Sequence, residues 1–272
     1  MKHTFAKSLP DKIIIAILVL IVVTYFLFVI LPIVAVFLRI EPNQVNAQLH
    51  NVAIIEAIKL SLFTAGTATL IALILAVPTA YFMATRNFPG KAVVDTLIDL
   101  PIVLPPAVAG VALLYAFAPR GLLGPIFNHF GYILPGSTIA VIIAETFVAS
   151  PFLLRSAKTG FESMDRDIIN SAKMLTDSRL RVFFTVTLPL SIRAIISGAM
   201  MTWARALGEF GATLMFAGNL PGITQTMPLA IYVFLYSDPL AGVMLSIILI
   251  AIAFAVLISV KLLEQKRYGA KK

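Results

Sequence analysis

The chain has 272 residues, of which 60% are hydrophobic and 12% are charged, and its mean hydropathy is +0.97. A chain this apolar cannot cover its surface with polar groups, so its composition excludes a soluble globular domain and indicates an integral membrane protein. The lack of cysteine excludes disulfides, and the three histidines (His3, His50 and His129) are scattered in predicted tails and loops, so we expect no metal site.

The formal net charge of +8 would suit a protein that binds nucleic acid, but the positions of the charges indicate another origin. If the N-terminus is inside, the only basic residues outside the inner segments are Arg39, Lys59, Arg120 and Arg205. This asymmetry follows the positive-inside rule and accounts for the charge without a nucleic-acid partner. We therefore expect a multi-pass protein of the cell (inner, cytoplasmic) membrane with both termini in the cytoplasm.

Two long apolar stretches come first. The stretch from Ile13 to Leu38 is long enough for a hydrocarbon core of roughly 30 Å, which takes about 20 helical residues. It is too long for a signal peptide and no A-x-A-like site follows, which favours an uncleaved span. After a polar outer loop, Ala57 to Ala84 forms a predicted second span whose many small residues favour close helix packing.

The predicted third span, from Val94 to Ala118, contains Pro101, Pro105 and Pro106. Three prolines in one membrane helix predict a bend or local unwinding. Two interpretations remain open. The bend is either a structural kink or part of a bent helix that lines a water-filled path, where irregular backbone is tolerated within a membrane.

The predicted fourth span begins at Thr138 and reaches Leu154 or further, with Glu145 inside it. An ionisable residue at that depth is rare and usually faces the bundle interior. We expect Glu145 to be either a protonated or hydrogen-bonded helix contact or a functional group.

A polar segment from Asp165 to Pro189 separates the fourth and fifth spans and lies on the predicted cytoplasmic side. Asp165 is a predicted N-cap for a short helix over about Ile168 to Leu175. Asp177 or Ser178 is a predicted cap for a second helix that runs into the next span. A soluble helical hairpin between membrane spans predicts docking to a water-soluble partner.

The predicted fifth span, from Ser191 to Ala217, carries Arg205 and Glu209, which are four residues apart and would share one helix face. Both charges would lie in the outer half of the membrane, where they can neutralise each other. They form either a structural ion pair at a dimer seam or part of a translocation path, in which Arg205 would supply a positive field for an anion.

The remaining elements complete six predicted spans. Gly218 to Thr224 is a predicted outer loop, Met227 to Tyr236 a short helix at the outer interface, and Leu240 to Leu262 the sixth span. We divide the chain into residues 1–56 (tail, first span and outer loop), a core over 57–262, and a basic cytoplasmic tail over 263–272. No Walker-A pattern or catalytic cluster is present, so we expect neither ATP hydrolysis nor enzymatic activity from this chain.

The segment between the fourth and fifth spans resembles the coupling motif of ATP-binding-cassette importer permeases, in which E-A-A, three residues, G, nine residues and I-x-L-P follow one another. The alanine, the spacing and the terminal L-P agree, whereas Asn, Ser and Thr replace the Glu, the first Ala and the Gly. The matching positions are Asn170, Ser171, Ala172, Thr176, Val186, Leu188 and Pro189.

A wider resemblance covers Ala57 to Leu262 and is strongest in LPIVLPPAVAG from Leu100, RVFFTVTLPL from Arg181 and RALGEFGATLMFAGNLPGITQTMPLAIY from Arg205. These stretches are similar to permease subunits of molybdate and tungstate importers, and sulfate or thiosulfate permeases are a related alternative. The implied fold is all-α, with the six transmembrane helices of the type I importer (MetI-like) permease and a cytoplasmic coupling helix. A self-contained secondary transporter is the alternative from another class, although the chain shows no inverted repeat.

The resemblance implies a homodimer in the lipid bilayer, two ATPase subunits that bind ATP-Mg, an extracytoplasmic oxyanion-binding protein, and no cofactor on this chain. Transport would proceed by alternating access. The expected ATPase-coupling residues are Asp165, Asn170, Ser171, Ala172, Leu175, Thr176 and Pro189. The expected residues of the translocation path are Pro105, Pro106, Arg205, Glu209 and Thr213.

Overall fold

The computed structural model describes residues 9–39, 45, 48, 50–176 and 178–269, and this part of the chain folds into helices and turns without a β-strand. In the described ranges, twelve helices follow one another in chain order: α1 Leu9–Phe37, α2 Val52–Thr85, α3 Lys91–Val103, α4 Pro106–Phe117, α5 Gly124–His129, α6 Thr138–Glu162, α7 Arg166–Met174, α8 Arg179–Val182, α9 Leu188–Leu207, α10 Gly211–Ala217, α11 Met227–Ser237 and α12 Pro239–Gly269. One π-helical turn, Phe183–Thr187, joins α8 to α9.

Five described stretches are long and apolar enough to cross a membrane, and α3 with α4 makes a sixth if this bent pair counts as one span. The five stretches are Ile13–Phe37, Val52–Thr85, Thr138–Glu162, Arg179–Leu207 and Pro239–Leu262. The all-α membrane class is therefore confirmed, and six is the upper count. The chain divides after Asn46 into one unit with α1 and a larger unit that holds the other helices.

The larger unit is built on α2, α6 and α9, whose contacts are made largely by small residues. Ala72 and Ala80 of α2 pack with Leu153 and Ala157 of α6, and Ile195 of α9 closes the same cluster. Side chains this small let helix backbones approach closely, which is how membrane helices gain packing contacts in lipid. The small residues of the second span therefore make the close helix contacts that the sequence predicts.

The predicted third span is broken rather than continuous, and its two helices meet at an angle of 113°. The break lies at Leu104 and Pro105, which are both extended (ψ of 134° and 132°) because each precedes a proline. Pro101, in contrast, lies inside α3 without interrupting it. The proline bend is confirmed, but a single helix from Val94 to Ala118 is wrong.

The predicted fifth span also ends early, because α9 stops at Leu207 and a separate helix, α10, begins at Gly211. Gly208 and Gly211 flank the break, and glycine is a poor residue for continuing a helix. The prediction of one helix from Ser191 to Ala217 is therefore wrong.

Two predicted elements agree closely with the structure. The fourth span extends beyond Leu154 to Glu162, and the short helix predicted from Met227 covers Met227–Ser237. The first turn of α11 is buried, with Met227, Leu229 and Ala230 fully covered. This helix therefore packs into the larger unit rather than lying only on its surface.

Candidate functional site

The loop between α6 and α9 contains α7, which has the predicted N-cap but begins at Arg166, two residues before the predicted Ile168. Asp165 is its N-cap, and its Oδ1 accepts a hydrogen bond from the amide of Asp167 at 2.9 Å. Asp167 in the first turn and Lys173 in the last turn both complement the helix dipole. Ser178 caps α8 by accepting from the amide of Arg181 at 3.3 Å, while Asp177, the alternative cap, lies outside the described residues.

The surface of α7 and its C-cap carries apolar side chains that the described chain does not cover. Ile168 is 49% exposed, Met174 86% and Leu175 88%. Asn170 and Ser171 are also exposed on this helix, and Ala172 is half-buried. Six of the seven predicted coupling residues therefore lie along one short segment, and the exposed apolar side chains in the same segment are typical of a protein-interaction surface.

Thr176 stands where the resembling motif has glycine, and the structure shows how the turn forms without one. Its Oγ1 accepts a hydrogen bond from the amide of Ser178 at 3.3 Å, and no described residue other than glycine has a positive φ. The side chain thus makes a turn that glycine would make by its backbone. Pro189 lies apart from this turn, in the first turn of α9.

A buried polar group on α6, Glu145, faces the bundle interior as expected. The hydroxyl of Thr64 on α2 donates to Glu145 Oε1 at 2.9 Å, and Glu145 is only 1% exposed. Its Oε2 has no hydrogen-bond partner among the described residues. Thr64 could not be predicted as the partner, because nothing in the sequence of one helix identifies the residue that it contacts on another.

Arg205 and Glu209 form the expected ion pair, with 2.7 Å between an Arg205 Nη and Glu209 Oε2. The pair does not share a helix face, however, because Glu209 lies beyond the end of α9. Its other oxygen accepts from the amide of Ala212 at 2.9 Å, so Glu209 bridges α9 and the start of α10. Glu209 is 1% exposed and neutralises Arg205, which supports the structural interpretation of this pair.

The predicted path residues gather where α10 packs against α4. A Cβ on Gly211 would lie 2.6 Å from Pro106 Cβ, and a Cβ on Gly110 would lie 2.7 Å from the carbonyl oxygen of Ala212. Thr213 is fully buried in α10, whereas Pro105 is exposed at the break. In the described ranges, no three His, Asp or Glu side chains cluster as metal ligands would.

Two ion pairs that the sequence analysis missed join α3 to α6. Lys158 Nζ lies 2.7 and 2.6 Å from the two oxygens of Asp95, and Arg155 Nε lies 2.5 Å from Asp99 Oδ1. The two acids are four residues apart and therefore share one face of α3, and the two bases are three residues apart and share one face of α6. That spacing was the available signal.

Comparison with known proteins identifies the family. The family model described as "Binding-protein-dependent transport system inner membrane component" matches residues 68–268. The chain is 39% identical over 233 residues to "Molybdenum transport system permease protein ModB" of Mycobacterium tuberculosis, covering 86% of this chain and 88% of that protein. It is 32% identical over 256 residues to "Probable transport system permease protein NifC" of Clostridium pasteurianum, covering 94% and 90%.

Solved structures show the fold. A chain of a bacterial alginate ABC transporter superposes with a TM-score of 0.73 at 15% identity, covering 96% of both chains. A chain of the MetNI methionine ABC transporter gives a TM-score of 0.59 at 12% identity, covering 78% of this chain and 95% of that one. The fold is therefore that of the type I ABC importer permeases, as the sequence predicts.

Proposed function

The chain belongs to the family of binding-protein-dependent inner-membrane transport components, and we propose that it is the permease subunit of an ATP-driven importer for molybdate or tungstate. The similarity to molybdenum permeases carries this proposal, at 39% identity over 86% of the chain. A permease named for molybdenum transport in Haloferax volcanii, 37% identical over 235 residues, adds further support. A sulfate or thiosulfate permease remains the alternative, because these substrates are also dianions.

The proposed assembly contains two copies of this chain, two ATPase subunits and an extracytoplasmic binding protein. We place α7 and its exposed side chains Met174 and Leu175 against the ATPase, which would cover apolar surface that water now contacts. ATP-Mg would bind the ATPase and not this chain. Both termini would lie in the cytoplasm, on the same side of the cell membrane as α7.

Transport would follow from a two-state change of the assembly. ATP binding closes the ATPase dimer and draws the two α7 helices together, which favours the outward-open state, and hydrolysis restores the inward-open state. α4, α10 and the residues at their breaks would border the path. The path itself needs only weak contacts with the anion, since tight binding would slow its release.

Reconstitution tests the proposal directly. The purified chain, its ATPase and its binding protein are placed in proteoliposomes, and molybdate uptake is measured with and without ATP, with tungstate and sulfate as competitors. We expect ATP-dependent uptake that tungstate inhibits more strongly than sulfate does. Uptake by this chain alone under an ion gradient would favour a secondary transporter instead, and strong competition by sulfate would favour the sulfate alternative.

A further inference from the structure

Two ion pairs, each between a residue of α3 and a residue of α6, join these helices. Asp95 binds Lys158 through both carboxylate oxygens, and Asp99 binds Arg155 through one. The Lys158 side chain is 18% exposed and that of Arg155 60%, while the two acids are similarly exposed, so the Asp95–Lys158 pair is the better shielded of the two. Shielding from water strengthens a charge pair.

Little else attaches α3 to the rest of the larger unit. None of its residues is buried, and only Ile98 packs at the edge of the α2–α6–α9 cluster. Among the described residues, the other side-chain hydrogen bonds of α3 are local: Lys91 donates to the preceding turn, and Thr96 donates to the carbonyl of Ala92. The position of α3 therefore depends largely on its two ion pairs with α6.

The residues of these ion pairs lie near the ends of α6 and α3, where each helix leads into another element. Lys158 and Arg155 are in the last two turns of α6, which ends at Glu162, only a few residues before α7 begins at Arg166. Asp99 lies near the end of α3, just before the Pro105 break that leads into α4. The ion pairs thus connect α6, which leads into α7, with α3, which leads into α4.

We infer that Asp95–Lys158 and Asp99–Arg155 form a mechanical link that makes α3 follow α6 when α7 moves. This inference rests on the proposed importer function and names positioning residues for it. The link carries a displacement of α7 along the rigid end of α6 into α3, and the bend at Pro105 passes it to α4. Without the link, the ATPase would still turn over, but α4 would no longer respond.

The test measures molybdate uptake and phosphate release in the same proteoliposomes that contain the full complex. We expect D95K and K158D each to lower the anions moved per ATP by about fivefold or more, a typical coupling effect. The charge-swapped double variant D95K/K158D should return to within about twofold of wild type, because it restores the pair. K91Q, which removes a charge with only local contacts on the same helix, is the matched control and should behave like wild type.

A neutral double variant separates a link from a mere unpaired charge. D95N/K158Q leaves no charge unpaired, yet it lacks the ion pair, so we expect the same loss of coupling while the complex still co-purifies with its ATPase. Wild-type coupling in D95N/K158Q would overturn the inference, as would a charge-swapped complex that hydrolyses ATP normally but does not regain uptake. Absence of ATP-dependent uptake by the wild-type complex would instead refute the proposed function itself.

Discussion

At the scale of single residues, Glu145 illustrates how the bundle accommodates an acid. One carboxylate oxygen accepts from Thr64 on another helix, and the side chain is almost fully buried. A buried acceptor without its donor carries the full cost of desolvation, whereas a neutral isostere that keeps the hydrogen bond does not lose that contact. The hydrogen bond therefore matters more than the ability of residue 145 to ionise.

The first prediction compares two isosteric changes at this contact. Thr64→Val removes the donor and should lower the free energy of unfolding by about 1–3 kcal/mol. Glu145→Gln keeps an oxygen that accepts from Thr64 and should stay close to wild type. Thermal unfolding of the purified chain in detergent measures both, and a Glu145→Gln variant as unstable as Thr64→Val would show that the charge itself is required.

At the scale of elements, α4 and α10 form a tightly fitted pair because each follows a helix break and each contributes a glycine. Gly211 lies against Pro106, and Gly110 lies against the backbone of Ala212. A methyl group at either glycine would meet an atom closer than van der Waals contact allows, so the two helices would have to separate.

The second prediction concerns this contact. Gly211→Ala should lower the free energy of unfolding by about 1–3 kcal/mol, as is typical of overpacking. Gly66→Ala on α2 is the matched control, because its Cβ would have no atom within 4 Å, and it should raise stability by up to about 1 kcal/mol. Denaturant titration in detergent gives both values. Equal stability of Gly211→Ala and wild type would mean that α4 and α10 separate at no cost.

The third prediction concerns the docking helix α7. Ala172→Arg should lower transport by the assembled importer by about tenfold or more, which is a barrier change of at least about 1.4 kcal/mol, because a long charged side chain would hold the ATPase away from α7. Ser171→Ala restores the alanine that the coupling motif of importer permeases has at this position. It is the control and should transport normally. Membrane insertion is checked by yield from the membrane fraction. Normal transport by Ala172→Arg would remove the docking role of α7.

The sequence was most informative where structure depends on neighbours in the chain. The Asp165 and Ser178 caps, the start of α11 at Met227 and the bend before Pro105 all follow from local chemistry. The break after Leu207 was missed because Arg205 and Glu209 have helical spacing, and hydropathy does not distinguish one helix from two. Interhelical pairs such as Lys158 with Asp95 depend on which helices become neighbours, which no single sequence specifies.

At the scale of the whole molecule, the number of crossings depends on α3 and α4. The 113° bend between them allows either one broken span or a re-entrant loop. One broken span gives six crossings and places both termini on the same side, as the distribution of basic residues predicts. A re-entrant loop would give five crossings and put the termini on opposite sides.

The fourth prediction decides between these topologies. Since the chain has no cysteine, single cysteines can be introduced at two exposed positions, Asn87 before α3 and His129 after α4. An impermeant thiol reagent added to intact cells should label His129→Cys, and it should label Asn87→Cys only after the membrane is opened. A cysteine at Ser171 of α7 gives a second readout, because six crossings predict that it behaves like Asn87→Cys, whereas five crossings place these two positions on opposite sides. Equal labelling at positions 87 and 129 would establish a re-entrant loop.

The π-helical turn at Phe183–Thr187 has a consequence for register. The amide of Leu188 bonds to the carbonyl of Phe183, five residues back, so this turn holds one residue more than an α-helix would. Each residue of an α-helix advances the side-chain direction by about 100°. Deleting one residue here, such as Val186, would restore ordinary winding but swing α8 and the docking helix around the axis of α9. The ring of Phe183, whose centroid lies 4.8 Å from that of Tyr81, would lose this aromatic contact.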